Sequence, residues 1–190
     1  MMSVSEAVAV LLAVAYLILA IRQNIWCWAA AFASTSIYLV LMYQAQLYME
    51  SALQVFYLGM AIYGWSQWRG GQGSGHSLPV SCWRPVRHLV VIISVILATL
   101  ISGRLLTDYS AAALPYADSF TTWGAIVATF MVARKILENW WYWFVIDSVS
   151  IYLYINRELY LTALLFAGYL VLIIIGYLSW RKDLQKVSLT

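Results

Sequence analysis

Charged residues occur in this chain only at intervals. Between them lie apolar stretches of about 19 residues, the length at which an α-helix crosses the hydrocarbon core of a bilayer. Seven stretches can be marked: Val4–Ile21, Trp26–Tyr43, Ser51–Trp68, His88–Leu106, Ser119–Arg134, Trp140–Asn156 and Tyr160–Trp180. Each is apolar at consecutive positions, whereas a membrane strand would alternate, so helices are expected. Charged side chains make up 10% of the 190 residues, against roughly 25% in soluble domains. A water-soluble fold would lack the polar surface to cover its core. The expected class is an all-α membrane protein with seven transmembrane helices. No signal peptide is expected, because the first apolar segment runs into the second after a few residues, with no small-residue cleavage site.

Alternate ends of seven helices fall on two sides. One side collects Arg22, Arg69, Arg84, Arg87, Arg134, Lys135, Arg181, Lys182 and Lys186, and the other only Arg104 and Arg157. By the positive-inside rule the C-terminus is expected in the cytoplasm and the N-terminus in the periplasm of a bacterial inner-membrane protein. Cys27 and Cys82 then face the reducing side and are read as thiols outside any disulfide. The stretch Arg69–Ser77 (RGGQGSGHS) is read as a flexible Gly/Ser linker. It has no Gly-Lys-Ser/Thr ending and no strand before it, so it is no phosphate loop.

Several function classes drop out. There is no nucleotide-binding motif, and nothing suggests nucleic acid. His76 and His88 lie in or beside the third-to-fourth loop, which argues against an intramembrane metal or serine–histidine hydrolysis. The last span contains no lysine to hold retinal. No cofactor is expected, and no enzyme.

The two ends of the chain resemble each other. Tyr48, Leu53, Tyr57, Leu58, Gly64 and Trp68 recur 112 positions later as Tyr160, Leu165, Tyr169, Leu170, Gly176 and Trp180. Upstream the offset reads as 114, pairing Trp26, Ile37, Tyr38 and Leu39 with Trp140, Ile151, Tyr152 and Leu153. A three-helix unit ends on the opposite side from its start, so one inverting helix must intervene before a like-oriented copy. The expected organisation is a first repeat over 1–68, a cytoplasmic linker over 69–87, an inverting helix over 88–106 and an external loop over 107–118. A second repeat over 119–182 and a cytoplasmic tail over 183–190 follow. Two parallel repeats are one of the known carrier designs.

The sixth helix carries the sharpest candidate site. Trp140, Trp143, Asp147, Ser150 and Tyr154 fall on one helical stripe. A carboxylate inside a span is costly and normally faces a cavity or a partner. Indole faces attract cations and stack on flat rings. The competing reading puts Trp140 in the interfacial belt and pairs Asp147 with another helix. A second stripe on the third helix comprises Glu50, Gln54, Tyr57, Ala61 and Gly64, of which Gln54 and Tyr57 offer hydrogen bonds to a solute. Gly64 and Gly176 are read as allowing close helix packing. Trp65, Trp68 and Trp180 are expected in the interfacial belt, and Glu138 and Asn139 as caps of the sixth helix.

These segments resemble the PnuC family of bacterial vitamin transporters. The resemblance covers nearly the whole chain and is carried by Arg22–Trp28 (RQNIWCW), Met49–Trp65 (MESALQVFYLGMAIYGW), Arg134–Asp147 (RKILENWWYWFVID) and Leu159–Trp180. It implies a fold like that of the SWEET sugar carriers, arranged as three plus one plus three helices. It implies a homotrimer and facilitated diffusion, with a cytosolic kinase trapping the solute by phosphorylation. Nicotinamide riboside is the usual substrate of the family, while relatives carry thiamine or riboflavin. By position, Trp140, Trp143 and Asp147 match the family's sixth-helix binding motif, and Gln54 and Tyr57 transfer more weakly. The chain is expected to lack the leading segment of some nicotinamide riboside carriers, which keeps thiamine in contention. A flat cationic ring suits an acid beside tryptophans. Riboflavin, which is neutral, ranks third. A different class, a membrane subunit or sensor that binds ligand without moving it, is the remaining alternative.

Overall fold

The structure is a computed structural model that describes residues 4–44, 48–73, 78–109, 114–156 and 158–187. It is all helical: α1 (Val4–Ile21), α2 (Trp26–Gln44), α3 (Tyr48–Gly73), α4 (Pro85–Tyr109), α5 (Pro115–Ala133), α6 (Asn139–Asn156) and α7 (Tyr160–Val187). Among the described residues the one departure is an isolated parallel bridge between Ser81 and Ile136. By length and apolarity alone, α2, α4 and α7 qualify as membrane spans. Hydropathy undercounts the others because α6, for one, dilutes its aliphatic residues with Trp, Tyr, Ser and Asp147.

Three helices outrun their expected ends, the fourth by three residues on either side, from Pro85 to Tyr109. The third continues past Trp68 to Gly73, into the segment expected as linker, and the seventh continues past Trp180 to Val187. Each glycine in a helix interior costs about 1 kcal/mol, but a long preceding helix has already met the cost of nucleation and each added residue gains a hydrogen bond. The α7 extension also carries an i,i+3 ion pair, Lys186 to Asp183 at 3.0 Å. Residues 74–77 of the expected linker, and Arg157, lie outside the described residues.

The chain divides between Pro79 and Val80 into two compact units. In the first, α1 packs on α2 and α2 on α3. In the second, α4 packs on α5, α5 on α6 and α6 on α7, so the helix with no counterpart belongs with the second triplet. α4 carries exposed apolar residues along its length, Leu89, Val90, Ile93, Leu97, Leu100 and Ile101. Such a surface is stable against hydrocarbon and not against water.

The two units are built alike in detail. α1 ends at Gln23 with φ 53°, and α5 ends at Lys135 with φ 50°. At the first turn Gln23 N donates to Ala20 O at 3.0 Å and Asn24 N to Leu19 O at 2.9 Å. At the second, Lys135 N donates to Val132 O at 3.0 Å and Ile136 N to Met131 O at 2.9 Å. These are paired C-terminal bonds of the Schellman type, closed through a left-handed residue. Trp28 then lies against Gly64 as Trp140 lies against Gly176, and the ring pairs Trp28–Trp68 and Trp140–Trp180 both meet edge to face at 86°.

Every one of these correspondences runs at an offset of 112. The expected change to 114 is therefore corrected: Trp28, not Trp26, is the counterpart of Trp140. Trp26 is exposed and meets Trp65 instead. The apolar matches at 114 arose because neighbouring spans share composition, whereas the turn and the buried ring are set by geometry.

Basic residues gather at one end of each unit. In the second unit the Trp140–Trp180 contact and the Ser81–Ile136 bridge bring the start of α4, the α5–α6 turn and the end of α7 to the same end. Arg84, Arg87, Arg134, Lys135, Arg181, Lys182 and Lys186 all belong to those segments.

Candidate functional site

The site helix α6 is fixed at its start by a strap. Ser81 N donates to Lys135 O at 3.0 Å, and Leu137 N donates to Ser81 O at 2.8 Å. The Glu138 carboxylate accepts from Trp83 N at 3.3 Å and lies 3.9 Å from His88 Nε2, while His88 Nδ1 and Tyr142 Oη sit 3.0 Å apart. Glu138 thus ties the strap to the helix and does not cap α6 as expected. Asn139, fully buried, donates from Nδ2 to Ile136 O at 2.6 Å. Its Oδ1, and Nε1 of Trp140, are buried without a hydrogen-bond partner among the described residues. Sequence patterning missed this strap because its contacts join positions more than fifty residues apart and leave no local period.

Cys82 sits on the strap and is exposed as a residue. Partial burial of its sulfur, then the charge of Glu138 and a hydrogen bond with it, push the thiol up to about 11.

The indole of Trp140 is enclosed. A Cβ added at Gly176 would stand 2.4 Å from Trp140 Cη2, and the Trp180 ring centroid is 5.3 Å away. The glycines at 64 and 176 therefore make room for tryptophan rings, not for neighbouring helix backbones. Trp68 and Trp180 are buried partners of those rings, not the exposed belt residues that their position near a span end suggested. An indole at a helix end reads the same in sequence whether it faces headgroups or a glycine on the next helix.

From that anchored foot the stripe climbs α6. Asp147 lies seven residues, about 10 Å, above Trp140. It is 4% exposed, and among the described residues its carboxylate has no hydrogen-bond or ion-pair partner. Ser150, one turn on, is buried too, and the Tyr154 ring lies 4.9 Å from that of Phe166 on α7. Trp143, one turn below Asp147, is half-buried. Behind the stripe, Ile146 packs where a side chain at Gly124 would stand, which brings α5 close against α6. The geometry offers a buried acid and a half-buried indole on one face, both backed by tight packing.

In the first unit Gln54 and Tyr57 are half-buried on one face of α3, above Ala61 and Gly64, which are buried against α2. Tyr57 is near enough to Tyr16 of α1 for their phenols to interact. The side chain of Glu50 lies outside the described residues. Among those described there is no group of three or more His, Cys, Asp or Glu residues that would hold a metal.

Against known proteins, the model of a family described as nicotinamide mononucleotide transporters matches residues 3–182, almost the entire chain. The chain belongs to that family. The family comprises the PnuC vitamin transporters, and the chain is a multi-pass inner-membrane transporter of this kind, not an enzyme. It is 25% identical over 192 residues to the riboflavin/roseoflavin transporter RibM of Streptomyces davaonensis, covering 96% of this chain and 89% of that one. It is 24% identical over 150 residues to the nicotinamide riboside transporter PnuC of Escherichia coli, covering 66% of this chain and 63% of that one. The crystal structure of the vitamin B3 transporter PnuC superposes with a TM-score of 0.75 at 21% identity, over 94% of this chain and 81% of that one. That likeness establishes the PnuC fold for the chain.

Proposed function

We propose that this PnuC-family member carries nicotinamide riboside inward by facilitated diffusion, as a homotrimer with its C-terminus in the cytoplasm. A cytosolic kinase would then trap the solute by phosphorylation. The observation that carries the reading is Asp147: a carboxylate inside a span, buried, with no partner among the described residues. An ionised group in that position is held only if something supplies compensating charge. A flat cationic ring does so, and Trp143 one turn away provides a face for it to stack on. Trp140 sits at the foot of the stripe, and its enclosure by Gly176 and Trp180 holds the helix that presents the other two. Gln54 and Tyr57 are assigned the hydrogen bonds to the sugar.

The basic residues at one end of each unit support the orientation. Thiamine carries the same charge and flatness and is the second candidate. Riboflavin has one specific observation in its favour, the similarity to RibM along nearly the full length of the chain.

Calorimetric titration of the purified protein against the three vitamins, with uptake into vesicles free of ATP and ion gradients, tests the proposal. Saturable accumulation of nicotinamide riboside, with affinity lost in Asp147→Asn, is the expected result. Preferential riboflavin binding would overturn the substrate, and binding without accumulation would overturn transport in favour of a ligand-binding subunit.

A further inference from the structure

The second unit contains a groove whose lining includes none of the α6 stripe from Trp140 to Tyr154. It runs between α4, α5 and α6, has a volume of about 320 Å³, and is lined by apolar side chains including Val95 and Ile96, Phe120, and Val145 and Ile146. Ile96 and Val145 are each about half exposed, so the groove has an open side, while Val95 and Ile146 form its buried floor. At a water's share of liquid volume, roughly 30 Å³, it has room for about ten methylene-sized groups. That is part of one acyl chain.

Tyr142 marks the groove's end nearest the strap. Beyond it stand Arg84 and Arg87, both exposed, with no ion-pair partner among the described residues; the Arg87 guanidinium lies 5.5 Å from the Trp83 ring centroid. Glu138, the acid at this end, is engaged by Trp83 N and His88. An apolar groove, with two guanidinium groups that have no described ion-pair partner on the strap side of its Tyr142 end, matches the two ends of one molecule.

We infer that the groove between α4, α5 and α6 is a binding site for an anionic phospholipid, with one acyl chain along Val95, Ile96 and Val145 and the phosphate at Arg84 and Arg87. Basic pockets between transmembrane helices bind acidic headgroups through such residues, and guanidinium groups pair phosphate oxygens in bidentate fashion. The site exists in the second unit alone, because α4 has no counterpart in the first. It is independent of which vitamin the protein carries.

Native mass spectrometry of the full-length protein, incubated with dioleoyl phosphatidylglycerol or dioleoyl phosphatidylcholine, tests the site. The wild type is expected to retain one phosphatidylglycerol per chain, with a preference of about thirtyfold over phosphatidylcholine from its two arginines. The double substitution Arg84→Gln, Arg87→Gln should abolish the preference while an acyl chain still binds. Val145→Trp, at an exposed position where folding is not threatened, should fill the groove and abolish retention of both lipids. Equal retention of the two lipids by the wild type, or undiminished retention in Val145→Trp, would overturn the inference. So would a change of oligomeric state in Val145→Trp without lipid loss, which would mean that a second copy of the chain occupies the groove.

Discussion

Replacing Gly176 by alanine asks whether the Trp140 ring seats α6 on α7. A Cβ at position 176 would stand 2.4 Å from Trp140 Cη2 and 2.6 Å from its Cζ2 and Cζ3. Carbon atoms in contact sit about 3.5–4.0 Å apart, so the ring must retreat by more than about 1 Å. It is 2% exposed and walled by Trp180, so it has no open space to enter. Overpacking of this kind costs about 1–3 kcal/mol, against which alanine gains about 1 kcal/mol of helix propensity. A net loss of up to about 2 kcal/mol is expected. Gly168, on the same helix, is the internal control: a Cβ there meets nothing within 4 Å. Gly168→Ala should be neutral or stabilising by up to about 1 kcal/mol. Reversible unfolding in mixed micelles, followed by circular dichroism, would resolve the two substitutions, which have one chemistry and opposite expected signs. Adding Trp140→Leu to Gly176→Ala should recover part of the loss, because the smaller side chain vacates the clash. If Gly176→Ala were as stable as Gly168→Ala, the seat assigned to Trp140 would be wrong.

Four further outcomes follow from the structure. Gly64→Ala should destabilise the first unit as Gly176→Ala does the second, since its Cβ would stand 2.3 Å from the Trp28 ring; unfolding midpoints of the two variants should move the same way. With its pKa raised from 9.0 to about 11, Cys82 should hold roughly 100-fold less thiolate near neutral pH than an unperturbed thiol. Maleimide labelling at pH 7 should therefore be slow, and Glu138→Gln, which removes the lesser causes, should speed it; equal labelling rates would remove the Glu138 contribution. Trp143→Ala should lose about 1–3 kcal/mol of vitamin binding with stability little changed, while Trp140→Phe should lose stability first, a split read by titration and unfolding on the same preparations. Asp147→Asn should weaken binding of a cationic vitamin at least tenfold, and calorimetry showing unchanged affinity would remove its charge role.

Much of the architecture was legible in the order of residues because the bilayer imposes a one-dimensional rule. A span must be long, apolar and internally hydrogen-bonded, so helix number, helix class and the ends of α1, α2 and α6 could be read directly to within a residue. The stripe from Trp140 to Tyr154 was legible for a similar reason: helical spacing alone puts those residues on one face. What happens where helices leave the membrane was not, because water imposes no such rule, and α3 and α7 run on past their expected ends.

The tertiary structure alone decided the roles of the tryptophans. By sequence, Trp26, Trp28, Trp68, Trp140 and Trp180 are all indoles near span ends. Packing buries Trp28 and Trp140 against glycines of the next helix and Trp68 and Trp180 against those two rings, and leaves Trp26 exposed. It also set the register of the repeat at 112, since a left-handed turn residue and an indole on a glycine tolerate no slip, while leucines on a lipid-facing surface do. The strap from Ser81 to the α5–α6 turn, and the absence of any described partner for Asp147, were likewise beyond the sequence. Composition fixes what must leave water; only the meeting of distant segments determines which buried polar groups find a partner.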